Sequence, residues 1–199
     1  VTVEKNSRSP LVARLISAIL HPLIVAPVTF VILLCHTEIG RTKMVLLFGL
    51  VIIAIVVVPL LSVVHLKRRG RTASLDVPER ANRINPFLIS ILGYFIVWAL
   101  LKLTGAPQPV TVLMWIYTTN TAIATFITHY WKISIHGMAL GGPIAALGWV
   151  VSPGFYWVAI AAPLIVYSRV KLKAHSIAQV ICGFLLGFLL TLIQLAIIL

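Results

Sequence analysis

The chain has 199 residues, of which 60% are hydrophobic and 10% charged, with a mean hydropathy of +1.08. No water-soluble domain of this length needs so much apolar sequence, so the composition specifies a multi-span membrane protein. Its 16 lysines and arginines against four acids give a net charge of +12, and their clustering between apolar stretches points to anionic headgroups and phosphates, not nucleic acid.

A helix needs about 20 apolar residues to cross the hydrocarbon core. In chain order, the sequence predicts spans over 11–35, 44–65, 87–104, 109–131 and 176–198. Residues 133–170 are too long for one span, and "VSPGF" (151–155) divides them with a Pro-Gly turn into 133–151 and 155–170. The expected fold is therefore an all-α, polytopic transmembrane helix bundle of six to seven spans in a single integral-membrane domain, residues 1–199. Pro22, Pro27, Pro59, Pro143 and Pro163 fall within spans, where neighbouring helices satisfy the freed carbonyls. Gly137, Gly141, Gly142 and Gly148 make the fifth span a close-packing helix. Thr118, Thr119, Asn120, Thr121, Thr125 and Thr128 give the fourth a polar stripe, read as helix-to-helix hydrogen bonding. His21 reads as a hydrogen-bonded histidine inside the bundle, and His129 as an interfacial one close enough to support a site. Cys35 and Cys182 lie in different spans without metal-ligand spacing and read as packing residues.

With seven spans, one face carries the N-terminus, the 66–86 loop and the junctions at 131–133 and 169–175. Every lysine and arginine except Arg41, Lys43 and Lys102 falls on that face. The positive-inside rule places it in the cytoplasm; the expected location is the cell (plasma) membrane.

Three distant stretches meet on this basic face: "LDVPERANRINPF" (75–87), "WKISIH" (131–136) and "SRVKLKAH" (168–175). Arginine forks match phosphate oxygens in pairs, and lysine adds a point charge. Arg83, Lys132 and Arg169, with the hydroxyls of Ser134 and Ser168, are the candidate phosphate-binding groups. His136 and His175 are the side chains here able to exchange protons near neutral pH, and so the candidate catalytic pair. One imidazole would attack phosphorus while the other protonates the leaving oxygen.

This ordered set resembles the type 2 phosphatidic acid phosphatase superfamily, the lipid phosphate phosphatases, over roughly residues 75–190. The family carries Lys-x6-Arg-Pro, then Pro-Ser-Gly-His, then Ser-Arg-x5-His-x3-Asp. The third motif matches best, as Ser168, Arg169, five residues and His175. The second survives as Ile133-Ser134-Ile135-His136, and the first, degenerate, as Arg83-Ile84-Asn85-Pro86. Two departures stand out: Gln179 occupies the place of the family's terminal aspartate, and Asp76 that of its lysine. Glutamine can hold a histidine tautomer but supplies no negative charge. Asp76 or Glu79 either replaces that acid or pairs with Arg80, Arg83 or Lys132 to shape the loop, and Lys132 can restore the missing cation.

The resemblance implies a metal-independent phosphatase acting on a lipid or isoprenoid (di)phosphate through a phosphohistidine. His175 would be the nucleophile and His136 the acid, with Asp76, Arg80 and Gln179 in support and no cofactor or metal. With one aspartate in the chain, Mg²⁺-dependent prenyl-transfer chemistry is disfavoured. The alternative is a catalytically inactive lipid-phosphate-binding or transport protein of the same fold, which Gln179 favours. Membrane lipids and a lipid or prenyl phosphate are the expected partners.

Overall fold

The structure is a computed structural model that describes residues 10–72, 77 and 79–199. Every element among the described residues is helical. Five helical segments are long and apolar enough to cross a membrane: Leu11–Cys35, Arg41–Arg68, Ala81–Leu103, Gln108–Tyr130 and Ile177–Ile198.

The first of these segments is not one helix. Helix α1 spans Leu11–Ile19 and α2 spans Pro22–Cys35, with an extended His21 (φ −71°, ψ 139°) between them. Pro22 explains the break, because the residue before a proline is pushed out of the helical region while proline itself suits the first helical position. The second segment is continuous. Helix α3 (Arg41–Ile52) passes through a π turn at Ile53–Val57 into α4 (Val58–Arg68). Pro59 has no N–H to return to the preceding turn, and the widened turn absorbs that missing bond.

A 3₁₀ turn at Ala81–Arg83 leads into α5 (Ile84–Leu103), followed by α6 (Gln108–Tyr130). Helix α7 (Ile135–Val150) is apolar but has only 16 residues. The predicted break at "VSPGF" is present: Ser152 Oγ accepts the Gly154 N–H at 3.3 Å, and a 3₁₀ stretch, Pro153–Ala161, runs into α8 (Ala162–Lys171). The last helix, α9, spans Ile177–Ile198.

Two kinds of packing hold the bundle. Phe30, Leu33, Leu47, Leu101, Leu113 and Ile116 are buried in one core between α2, α3, α5 and α6. Helices α7 and α9 instead meet backbone to backbone. A Cβ at Gly141 would fall on the Phe184 carbonyl oxygen, and one at Gly187 would lie 2.5 Å from that of Met138. The expected close-packing role of the fifth span is met here, by small residues on both partners. The polar stripe of α6 does bond across helices: Thr119 Oγ1 donates to Gln194 Oε1 (2.6 Å), Gln194 Nε2 to Asn120 Oδ1 (2.8 Å), and Asn120 Nδ2 to Thr191 Oγ1 (3.1 Å). Large apolar side chains such as Phe126, Trp157, Ile160, Leu189 and Ile193 point outward, as lipid contact requires.

Candidate phosphate-binding site

The site is built where α8 turns into α9. After Lys171 the backbone enters the left-handed region at Lys173 (φ 53°), and Ala174 and His175 donate their N–H groups to the Arg169 carbonyl (3.0 and 3.3 Å). This turn folds His175 back over Arg169. Ser176 then starts α9 with a capping box: its hydroxyl accepts the Gln179 N–H at 3.3 Å, and Gln179 Oε1 accepts the Ser176 N–H at 3.1 Å.

The same Gln179 oxygen lies 3.1 Å from His175 Nδ1. Because a backbone N–H can only donate, the Gln179 atom facing it must be the carbonyl oxygen. His175 Nδ1 must therefore carry the ring hydrogen, which leaves the lone pair on Nε2. Burial pushes the His175 pKa down to about 4; the cations Arg83, Lys132 and Arg169 push the same way, and the Gln179 hydrogen bond opposes them. At neutral pH the ring is thus neutral, with its lone pair on Nε2.

Arg83 and Arg169 are buried despite their charge. Arg83 Nε donates to the Val77 carbonyl at 2.7 Å and its Nη1 reaches the Ile133 carbonyl at 3.5 Å, linking the loop before α5 to the start of α7. Arg169 Nη1 donates to Ser17 Oγ on α1 at 2.7 Å. Lys132 Nζ donates to the Ala174 carbonyl at 2.9 Å. His136, in the first turn of α7, is also buried, and its ring meets that of His21 edge-on, with centroids 5.0 Å apart and planes at 90°.

Three connected spaces follow. A cavity of about 140 Å³ is lined by His21, Arg83, His136, Arg169 and His175, with Pro22, Leu23, Pro59 and Phe87 on its apolar side. Beside it, a polar vestibule of about 460 Å³ is bounded by Arg14, Ser17, His21, Arg83, Lys132, Arg169 and Lys173. Farther into the bundle, an apolar chamber of about 180 Å³ shares Pro22, Leu23, Pro59, Val63, Pro86, Phe87 and Ile135 with the histidine-lined cavity. A phosphate at the histidines would have cations on one side and room for a hydrocarbon chain on the other.

Of the residues expected from sequence, His136, His175, Arg83 and Arg169 share one cavity, and Lys132 lies in the adjoining vestibule. The two serines do not line these spaces. Ser134 caps α7 by accepting the Gly137 N–H at 3.3 Å, and Ser168 donates to the Ala13 carbonyl at 2.7 Å, bracing α1. Both are fully buried. Arg80 Nη1 donates to the Tyr130 carbonyl at 2.6 Å and shapes the loop, while His129 Nδ1 lies 3.3 Å from the Thr125 carbonyl oxygen. Asp76 lies outside the described residues. Arg14, Ser17 and His21 belong to the site and were not singled out for it. The available signal was His21 itself, a histidine followed by proline inside an apolar run.

Among the described residues, no group of three or more His, Cys, Asp or Glu side chains is placed to hold a metal ion. No protein-family profile, curated protein sequence or solved structure matches the chain.

Proposed function

We propose that the protein is an integral-membrane phosphatase of the type 2 phosphatidic acid phosphatase kind, hydrolysing a lipid or isoprenoid (di)phosphate through a phosphohistidine. The observation that carries this reading is the Gln179–His175 hydrogen bond, which leaves Nε2 as the nucleophilic nitrogen in a cavity shared with His136, Arg83 and Arg169. In the first step the Nε2 lone pair forms a bond to phosphorus as the bond to the leaving oxygen breaks. His136 gives that oxygen a proton. In the second step water attacks the phosphohistidine while His136 takes a proton from it, and phosphate leaves with His175 restored.

Arg83 and Arg169 hold the equatorial oxygens and Lys132 attracts the anion through the vestibule, so developing charge meets fixed donors. Ser134 and Ser168 act on helix placement, not on phosphate. The proposed path crosses the membrane seven times, with α7 as the fifth crossing and Pro153–Lys171 as the sixth. Sixteen helical residues reach only about 24 Å, which would recess His136 below the headgroup plane. The charge pattern favours a cytoplasmic site.

The second reading, an inactive lipid-phosphate binder of the same fold, draws on Gln179, which supplies no negative charge to an imidazolium. Phosphate release from prenyl and glycerolipid phosphates in EDTA separates the two. Turnover abolished by His175→Ala supports the enzyme. Absence of turnover in the wild type, with substrate binding that survives in His175→Ala, supports the binder.

A further inference from the structure

Three side chains line both the vestibule and the reactive cavity: Arg83, Arg169 and His21. The arginines have a role in the proposed chemistry, and the third group has none assigned. His21 is held firmly. Its Nδ1 accepts the Leu23 N–H at 3.2 Å as the cap of α2, and Pro22 fixes the backbone next to it. A nitrogen that accepts this bond carries no hydrogen, so the neutral ring holds its hydrogen on Nε2. Against this fixed ring His136 sits edge-on at 5.0 Å, with the planes at 90°.

We propose that His21 is a positioning residue for His136, setting the plane of the ring that protonates the leaving oxygen. The inference rests on the phosphatase reading and adds to it a consequence that depends on the substrate. An alkoxide needs its proton as it departs, whereas p-nitrophenolate leaves without one. A residue acting through the general acid therefore matters for the first and not for the second in the step that forms the phosphohistidine, which kcat/KM reports; the later hydrolysis, with His136 as base, is common to both.

His21→Asn tests this directly, because an asparagine oxygen still caps α2 while the ring is gone. His21→Ala removes both. With a long-chain alkyl phosphate, His21→Asn is expected to lower kcat by at least ~10-fold with KM close to wild type. With p-nitrophenyl phosphate, kcat/KM, which ends at phosphohistidine formation, should stay close to wild type. Equal losses of kcat/KM on both substrates, or a raised KM alone, would overturn the proposal in favour of direct phosphate binding. Full activity in His21→Asn with a loss only in His21→Ala would reduce His21 to a helix cap. A measurement independent of turnover is the imidazole ¹⁵N spectrum of His136 in detergent-solubilised protein, which should shift in His21→Asn. Unchanged His136 resonances would overturn the positioning role even where no substrate is hydrolysed. A wild type that hydrolyses neither phosphate ester, with a shifted His136 resonance, would count against the phosphatase reading alone.

Discussion

Gln179 and His175 are joined through one oxygen atom that does two tasks. Gln179 Oε1 accepts the Ser176 N–H to cap α9 and, at the same 3.1 Å, the Nδ1–H of His175. Helix capping and, on the proposed mechanism, orientation of the nucleophile thus share one side chain. Gln179→Leu should break both, lowering turnover by ~10²-fold or more if it resembles loss of other preorganising groups. Gln179→Glu keeps both acceptor bonds, since glutamate is equally suited to the third position of a capping box, and adds a charge. Its opposite charge should raise the His175 pKa and move the acid limb of kcat/KM upward by ~1 unit or more. An acid limb that does not move in Gln179→Glu would show that the two side chains are not coupled in solution.

The lowered pKa of His175 sets a pH dependence of its own. With the folded value at about 4 and the ordinary value at 6.5, the unfolded chain binds this proton more readily between the two. Protonation in that window therefore favours unfolding. The contribution to stability is complete above about pH 6.5 and is lost as pH falls toward 4. Thermal unfolding in detergent should show Tm falling across this window, and His175→Asn should flatten the fall. Activity should persist below pH 6, where an unperturbed histidine nucleophile would already be protonated.

The contact between α7 and α9 leaves no room for a side chain. Gly141→Ala places its methyl on the Phe184 carbonyl oxygen, where backbone must move. The expected cost is about 1–3 kcal/mol, with a lower Tm. Gly49→Ala, also inside a helix but with nothing within 4 Å of the new Cβ, is the matched control and should be nearly silent. Because α7 carries His136 and α9 carries Gln179, Gly141→Ala should also lower turnover by shifting the two against each other.

Sidedness can be read from labelling in intact cells. Cys35 and Cys182 are exposed and are first replaced by serine. In that background, Arg71→Cys at the site end should be shielded from impermeant thiol reagents, and Glu38→Cys at the other end should react readily. The reverse pattern would place the site outside.

Much of the bundle was legible in the sequence because apolar length and the Pro-Gly break at 153–154 dominate local structure. The break at His21 was missed, since a proline inside an apolar run reads equally well as a tolerated kink; here the cap from His21 Nδ1 makes it a helix start. His136, His175, Arg83 and Arg169, singled out because reactive and charged groups are scarce in lipid and their spacing is specific, do line one cavity. The serines could not be placed in this way. A hydroxyl beside an arginine can face the ligand or brace a neighbouring backbone, and Ser168 braces Ala13, 155 positions away in the chain. Ser17 and Arg14 join the site only through the packing of α1 on α8, which no local pattern encodes.

The central claim is that His175 becomes covalently phosphorylated, and rapid acid-free quenching of the enzyme with a ³²P-labelled lipid phosphate tests it most directly. The account predicts an acid-labile, alkali-stable label that maps to the peptide carrying His175, disappears in His175→Asn, and accumulates when hydrolysis of the intermediate is slowed. Phosphate release that continues in His175→Asn, or a label on any other residue, would contradict it.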